Sequence, residues 1–270
     1  MEYLELCIHD IPEEQQDILT FVLSESGFES FASEGNELKA YIPTALYDRE
    51  KVKLIFIEHR VNYSEKIIAD QNWNAEWEKN FSPVEIAGQC YIRAPFHPSK
   101  PACRFELIIE PKMSFGTAHH ETTSQVIELM MGMDFTGKKV LDMGCGTGIL
   151  AVLADKMGAS GTLAIDNDDW AFNNTVENIE RNHSKNISAE LGGIMEVHGV
   201  FDIILANINR NILLDQISYY SDMLNPGGFL IMSGFYEEDL PAIRDCASGN
   251  GLRFESYISK NRWVAARFTK

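Results

Sequence analysis

The chain has 270 residues, 45% of them hydrophobic, and its 40 acidic against 23 basic side chains give a formal net charge of −17. Its apolar content excludes global disorder, and its length leaves room for one large domain and a small one. A surface so acidic repels phosphate backbones, and no run of Lys and Arg forms a basic patch, so direct nucleic-acid binding is not expected.

No apolar run approaches the roughly 20 residues that cross a bilayer. The start Met1-Glu2-Tyr3-Leu4-Glu5 lacks the basic opening of a signal peptide. Five cysteines, at positions 7, 90, 103, 145 and 246, are scattered without C-x-x-C spacing. That suits thiols in a reducing, cytoplasmic compartment better than a disulfide framework or a zinc site.

The first 80 residues hold 17 acids and 7 bases, so −10 of the −17 is concentrated there. Tyr3 to His9 alternates as a strand, with Leu4, Leu6 and Ile8 on one face. Pro12-Glu13-Glu14 opens a helix whose apolar stripe is Ile18, Leu19, Val22 and Leu23, with Gly27 at its end. Residues 31–42 read as a hairpin turning at Gly35-Asn36. Asp48 to His59 is a second helix carrying Val52, Ile55 and Phe56, and Val61 to Ile68 is a closing strand. The order βαββαβ is a split, ferredoxin-like unit over residues 1–70. No catalytic constellation lies within it, so it reads as a substrate-recognition module that attracts a basic protein partner. Residues 71–82 form a helical linker with Trp73, Trp77 and Phe81 on one face.

Residues 83–270 form the second domain. Cys90 to Ala94 and Phe105 to Glu110 look like strands around a Pro-containing loop. Phe115, Gly116 and Thr117 then begin a hydroxyl-rich segment that runs through His119, His120 and Thr123 into an apolar helix (Val126, Ile127, Leu129, Met130). Adjacent histidines seldom face one ion, and nothing at helical spacing completes a metal site, so no metal is expected. A Thr- and Gly-rich loop at a helix N-terminus suits closure over a polar ligand.

The run Val140-Leu141-Asp142-Met143-Gly144-Cys145-Gly146-Thr147-Gly148-Ile149 is a buried strand, an acid, a glycine turn and a helix start. Glycines at alternating positions let the backbone bend sharply and approach a ligand. A carboxylate at Asp142 would repel a pyrophosphate but suits an ammonium or sulfonium, which points to S-adenosylmethionine. The run 161–165 ends at Asp166, 24 residues after Asp142, where a parallel sheet offers an acid to ribose hydroxyls. A helix from Asp168 to Asn182, a strand Ile187 to Leu191 and Gly192-Gly193 beside the adenine follow. Phe201 to Ala206 is the next strand, and Asn207-Ile208-Asn209 leaves its end. Asn225-Pro226-Gly227-Gly228 turns into a strand from Phe229. Arg253 to Ser259 and Arg262 to Phe268 pair at the edge. The expected class is α/β: a Rossmann-like, seven-stranded methyltransferase sheet behind a small α+β module.

The segment Phe115-Gly116-Thr117-Ala118-His119-His120-Glu121-Thr122-Thr123 resembles the F-G-T-G-x-H-x-T-T signature of the bacterial PrmA family, which methylates ribosomal protein L11 of the large subunit. The likeness runs from Trp73–Phe81 through Val140–Gly148 and Leu205-Ala206-Asn207-Ile208 to Trp263-Val264. Ala118 stands where the family usually has glycine, His119 replaces a more usual threonine, and His120 falls on the family's histidine. The resemblance implies transfer of methyl groups to lysine ε-amines and an N-terminal α-amine. The strand end Asn-Ile-Asn points the same way, because it lacks the Pro-Pro-aromatic that stacks on planar amides and bases.

Asp166 is thus expected to hold the ribose, Gly144 and Gly146 to line the methionine end, Asp142 to meet the positive charge of the cofactor, and Thr117 and Thr123 to close the pocket. Asn207 orients the amine or the cofactor, and His120 could relay a proton. The chain is expected to act as a monomer, because the pattern leaves no exposed apolar helix over. Alternatives are a small-molecule or glutamine-amide methyltransferase, or a cofactor-binding module without turnover.

Overall fold

The structure, a computed structural model, describes residues 3–68, 82–110 and 116–270. The aromatic stripe expected at Trp73, Trp77 and Phe81 lies outside them. The chain divides into two compact units, Met1–Asn80 and Phe81–Lys270. Among the described residues no helix is long and apolar enough to cross a membrane.

The first unit comprises β1 (Tyr3–His9), α1 (Glu13–Ser24), β2 (Ser30–Glu34), β3 (Glu37–Pro43), α2 (Arg49–His59) and β4 (Asn62–Ile68). The sheet order is β2-β3-β1-β4, with β1 antiparallel to both neighbours, as a βαββαβ unit requires. Alternation along β1 and β3 sends Leu6, Ile8, Leu38 and Ala40 onto a core completed by Leu19, Leu23, Val52 and Phe56. Asp48 fixes the start of α2 by accepting the N–H groups of Glu50 and Lys51, each at 3.1 Å.

Two details differ from the pattern-based reading. Ile18 is 51% exposed, so α1 is rotated until only Leu19 and Leu23 of its stripe reach full burial. Phe21 on α1, and Leu54 and Ile57 on α2, are also exposed. Apolar helix surface is therefore left over, which removes the premise on which a monomer was expected.

The second unit begins with a three-stranded sheet of β5 (Val84–Ile86), β6 (Cys90–Arg93) and β7 (Phe105–Ile108), followed by α3 (Glu121–Met131). Then come β8 (Lys139–Met143), α4 (Ile149–Lys156), β9 (Gly161–Asp166), α5 (Asp169–Arg181) and β10 (Ile187–Leu191). The chain ends with β11 (Phe201–Asn207), α6 (Arg210–Met223), β12 (Leu224–Tyr236), α7 (Leu240–Gly249), β13 (Arg253–Lys260) and β14 (Trp263–Thr269). The large sheet runs β10-β9-β8-β11-β12-β14-β13. Its first five strands are parallel, and β14 is antiparallel to both neighbours.

Helices cover both faces of this sheet, which is why β8 and β11 read as nearly unbroken apolar runs. One core gathers Val126, Ile127, Leu150 and Leu153 under α3 and α4; the other gathers Leu213, Ile217, Tyr220 and Ile243 under α6 and α7. Asn225 to Gly228 lie inside the assigned strand β12, where its pairing with β11 slips between Leu224 and Phe229. On α5, Asn178 accepts from Glu110 N–H at 2.9 Å, while Asn182 both accepts from and donates to the backbone of Ile108. These amides stand in for a strand beside β7.

Candidate active site

Strand order reverses between β8 and β11, and a cavity of about 600 Å³ opens beyond the carboxyl ends of these strands. That is where open parallel sheets bind ligands. Gly116, His120, Thr123, Gly144, Gly146, Asp166, Asn207, Ile208, Gly234 and Trp263 are among the residues that line it.

The glycine turn forms one wall. Gly144, Gly146 and Gly148 have φ of 69°, 58° and 75°, a region that L side chains avoid. Gly144 and Cys145 donate to the carbonyl of Ile165 at 2.9 and 3.1 Å, pinning the turn to β9. Gly148 is the N-cap of α4 and brings no side chain, so Asp142 supplies the missing acceptor from below. Its Oδ2 accepts from Ala151 N–H at 3.0 Å. Asp142 is 1% exposed and does not line the cavity. The expectation that it touches the ligand is corrected: it supports the turn from beneath. Burial raises its pKa to about 7, further favoured by the charge of Asp166, although the bond from Ala151 works against the rise.

Asp166 does face the cavity. Its Oδ2 accepts from Gly146 N–H at 2.9 Å and its Oδ1 from Asp168 N–H at 3.1 Å. A carboxylate offers about four acceptor positions, so about two remain for a vicinal diol. Asp168 meanwhile caps α5 through Trp170 N–H. Gly192 and Gly193 do not line the cavity. Gly192 instead bonds the Asp166 carbonyl at 2.9 Å.

The opposite wall comes from α3. His120 is its N-cap, with Nδ1 accepting from Thr122 N–H at 3.3 Å. A backbone N–H can only donate, so in the neutral ring Nδ1 holds the lone pair and Nε2 the proton. The ring meets Trp263 edge-on at 4.8 Å, and Trp263 lies against Tyr236 at 4.1 Å. Gln125 holds the Trp263 carbonyl at 3.0 Å. Thr123 is buried and accepts from Asn207 Nδ2 at 3.2 Å, leaving Asn207 Oδ1 buried with no hydrogen-bond partner. Gly116 accepts from Thr147 Oγ1 at 2.6 Å, tying its loop to the glycine turn. Thr117 does not line the cavity, its hydroxyl lying 3.2 Å from His119 Nδ1, and Phe115 lies outside the described residues. Ala118, in the glycine position of the signature, adopts φ 66° and is buried. The backbone keeps the left-handed turn and the methyl is accommodated.

Ile208 and Gly234 were missed in the sequence. Ile208 leaves β11 and wedges between two glycines. A Cβ on Gly144 would fall 2.3 Å from its Cγ2, and one on Gly234 would fall 2.1 Å from its carbonyl oxygen. The signal was there: a glycine inside the apolar strand Leu230–Tyr236 marks a close backbone approach.

A seven-stranded sheet of this order, with a glycine turn after the first central strand and an acid at the end of the next, defines a Rossmann-like, S-adenosylmethionine-dependent methyltransferase. Residues 7–270 match the family described as ribosomal protein L11 methyltransferase (PrmA). Curated proteins of that description from Phocaeicola vulgatus and Porphyromonas gingivalis are 44% and 46% identical to it. They align with 99% and 95% of this chain and with 99% and 91% of their own lengths. The crystal structure of a ribosomal protein L11 methylase from Lactobacillus delbrueckii subsp. bulgaricus superposes with a TM-score of 0.66 at 27% identity, covering 70% of this chain and 99% of that one. A methyltransferase from Pyrococcus furiosus shares the fold at TM-score 0.52 and 23% identity, over 60% of this chain and 88% of its own. The chain belongs to the ribosomal protein L11 methyltransferase family.

Proposed function

We propose that this enzyme methylates ribosomal protein L11 on lysine ε-amino groups and the N-terminal α-amine. The reading is carried by the unanswered Oδ1 of Asn207. A buried amide oxygen without a donor is costly, and an N–H of the incoming amine or of the cofactor would satisfy it. Asn-Ile-Asn also leaves the strand end without an aromatic to stack on a planar amide, which favours an aliphatic amine over a glutamine side chain.

The residues present fit S-adenosylmethionine, since the positive-φ glycines leave a wall with no side chains, and Asp166 keeps acceptor capacity for a ribose diol. When bound, that cofactor supplies a methyl group on a sulfonium for in-line transfer to nitrogen. Asp166 holds the ribose, Gly144 and Gly146 line the methionine end, and Thr123 fixes the amide of Asn207. Asp142 acts through the turn it supports. His120 orients α3 and presents an N–H; it is assigned a positioning role in place of a proton relay.

The chain must also receive a neutral amine. A lysine with pKa near 10.4 loses its proton at a cost of about 4–5 kcal/mol at pH 7. An apolar wall formed by Trp263 and Ile208 disfavours the ammonium and lowers that cost. The acidic amino-terminal unit recruits the basic substrate, and the enzyme works in the cytoplasm without nucleic-acid contact. Transfer of labelled methyl from S-adenosylmethionine to purified L11, followed by mass spectrometry, tests the reading. Label on a glutamine, or none on the protein, would refute it.

A further inference from the structure

The open face of the amino-terminal sheet carries a side-chain cluster that the methyl-transfer chemistry does not use. Cys7 and His9 are two apart on β1, so both side chains project from the same face, opposite the buried Leu6 and Ile8. The β1–β3 ladder pairs Cys7 with Lys39 and Ile8 with Leu38, and one further step sets Glu37 against His9. Cys7 Sγ lies 3.8 Å from His9 Nδ1 and 3.9 Å from Glu37 Oε2, and His9 Nδ1 lies 2.8 Å from Glu37 Oε1.

We propose that Cys7, His9 and Glu37 form a binding site for a thiophilic divalent cation, zinc foremost, with water as the fourth ligand. Thiolate, imidazole and carboxylate are the ligand types zinc takes, and three protein ligands with one open position is a common arrangement for it. Zinc bonds of about 2.0–2.3 Å at tetrahedral angles set ligand atoms about 3.4–3.6 Å apart. With one ligand atom taken from each residue, the three lie within 4.8 Å of one another, so a rotation of the Glu37 carboxylate and side-chain shifts of roughly half an ångström to an ångström close the site.

The ring orientation is an independent observation. His9 Nε2 lies 3.1 Å from Ser64 Oγ on β4, which leaves Nδ1 directed at Cys7 and Glu37. In the neutral ring Nδ1 donates to the Glu37 carboxylate and Nε2 accepts from Ser64. When a metal takes Nδ1, that proton moves to Nε2, which then donates to Ser64, the way metal-bound histidines are held. On binding, the Cys7 S–H bond breaks, its proton passes to solvent and a sulfur–zinc bond forms; no electron transfer is involved. The two anions and the cation then sum to zero, and the ion cross-links β1 to β3. The arrangement escaped the cysteine spacing rule because its ligands come from two strands, with no repeated motif along the chain.

Titration of the full chain with Co2+ under a non-coordinating reductant tests this. One equivalent is expected to produce thiolate-to-cobalt absorption in the near ultraviolet, displaced by Zn2+ and abolished by Cys7→Ser. His9→Ala and Glu37→Gln are each expected to weaken binding at least tenfold, and Ser64→Ala about 10- to 100-fold. Zinc should also raise the melting temperature of the unmodified chain and leave that of Cys7→Ser unchanged. Absence of the band, or its persistence in Cys7→Ser on another thiol, would overturn the proposal. An unchanged melting temperature of both metal-free proteins shows that the variant is folded.

Discussion

Gly146 donates its backbone N–H to Asp166 Oδ2 at 2.9 Å, so the carboxylate that faces the cavity also shapes the turn beside it. One group therefore serves the shape of the site and its charge. Replacing Asp166 by Asn leaves one acceptor where there were two oxygens and turns the other into a donor. Affinity for S-adenosylmethionine should fall by about 2 kcal/mol or more, roughly thirtyfold, on the scale of hydrogen bonds to charged groups. Calorimetric titration of wild type and variant measures it, and equal affinities would remove Asp166 from the cofactor's contacts.

The two glycines around Ile208 predict opposite double-mutant behaviour. In Gly144→Ala the new methyl meets the Cγ2 of Ile208, a side-chain atom that can be removed. In Gly234→Ala it meets the Ile208 carbonyl, which cannot. Each single change should cost about 1–3 kcal/mol through overpacking, with about 1 kcal/mol of backbone strain besides. Adding Ile208→Ala should recover the steric part for Gly144→Ala and none of it for Gly234→Ala. Urea unfolding of the two cycles gives the coupling energies.

Asp142 should make stability fall as pH rises. Its folded pKa is raised by burial to about 7, above the unfolded value of about 3.9. Between those values the folded state binds more protons than the unfolded chain, so the slope of unfolding free energy with pH is negative. This contribution is fully present below about pH 4 and lost as pH passes 7. Asp142→Asn keeps an acceptor for Ala151 and removes the titration. The variant should match wild type near pH 4 and exceed it by a few kcal/mol at pH 8, read as the difference between two melting curves.

His120 separates a cap from a base. His120→Ala should cost about 1 kcal/mol of stability, and His120→Asn should restore most of it, because Asn caps well. Methyl transfer by His120→Asn should keep the shape of the wild-type pH profile. Loss of one limb of that profile would return His120 to proton transfer.

The parts of the site read from sequence are those contained in one strand–turn–helix unit. Gly144, Gly146 and Asp166 were legible because alternating glycines and an acid one crossover later are local patterns, and the parallel sheet brings them together by rule. Gly234 and Ile208 were not, since their meeting depends on how β11 and β12 approach each other. Asp142 was read as facing the ligand because strand-end position says nothing about whether the chain above covers it. Among the elements, β5 was too short at three residues for a period to show. The side of α1 that faces solvent also escaped, because adjacent apolar residues at 18 and 19 leave the rotation open.

The wall opposite the glycine turn joins residues from distant parts of the chain. Gln125 holds the carbonyl of Trp263, and Asn261 donates to Glu121, across 138 and 140 positions. During synthesis, then, the glycine turn and the His120 helix emerge long before Trp263 completes the wall that faces the turn. A nascent polypeptide halted before Trp263 would carry the recognisable nucleotide-binding motif and still lack a closed chamber. That side of the cavity is completed only by the final hairpin, after nearly all of the sheet has been translated.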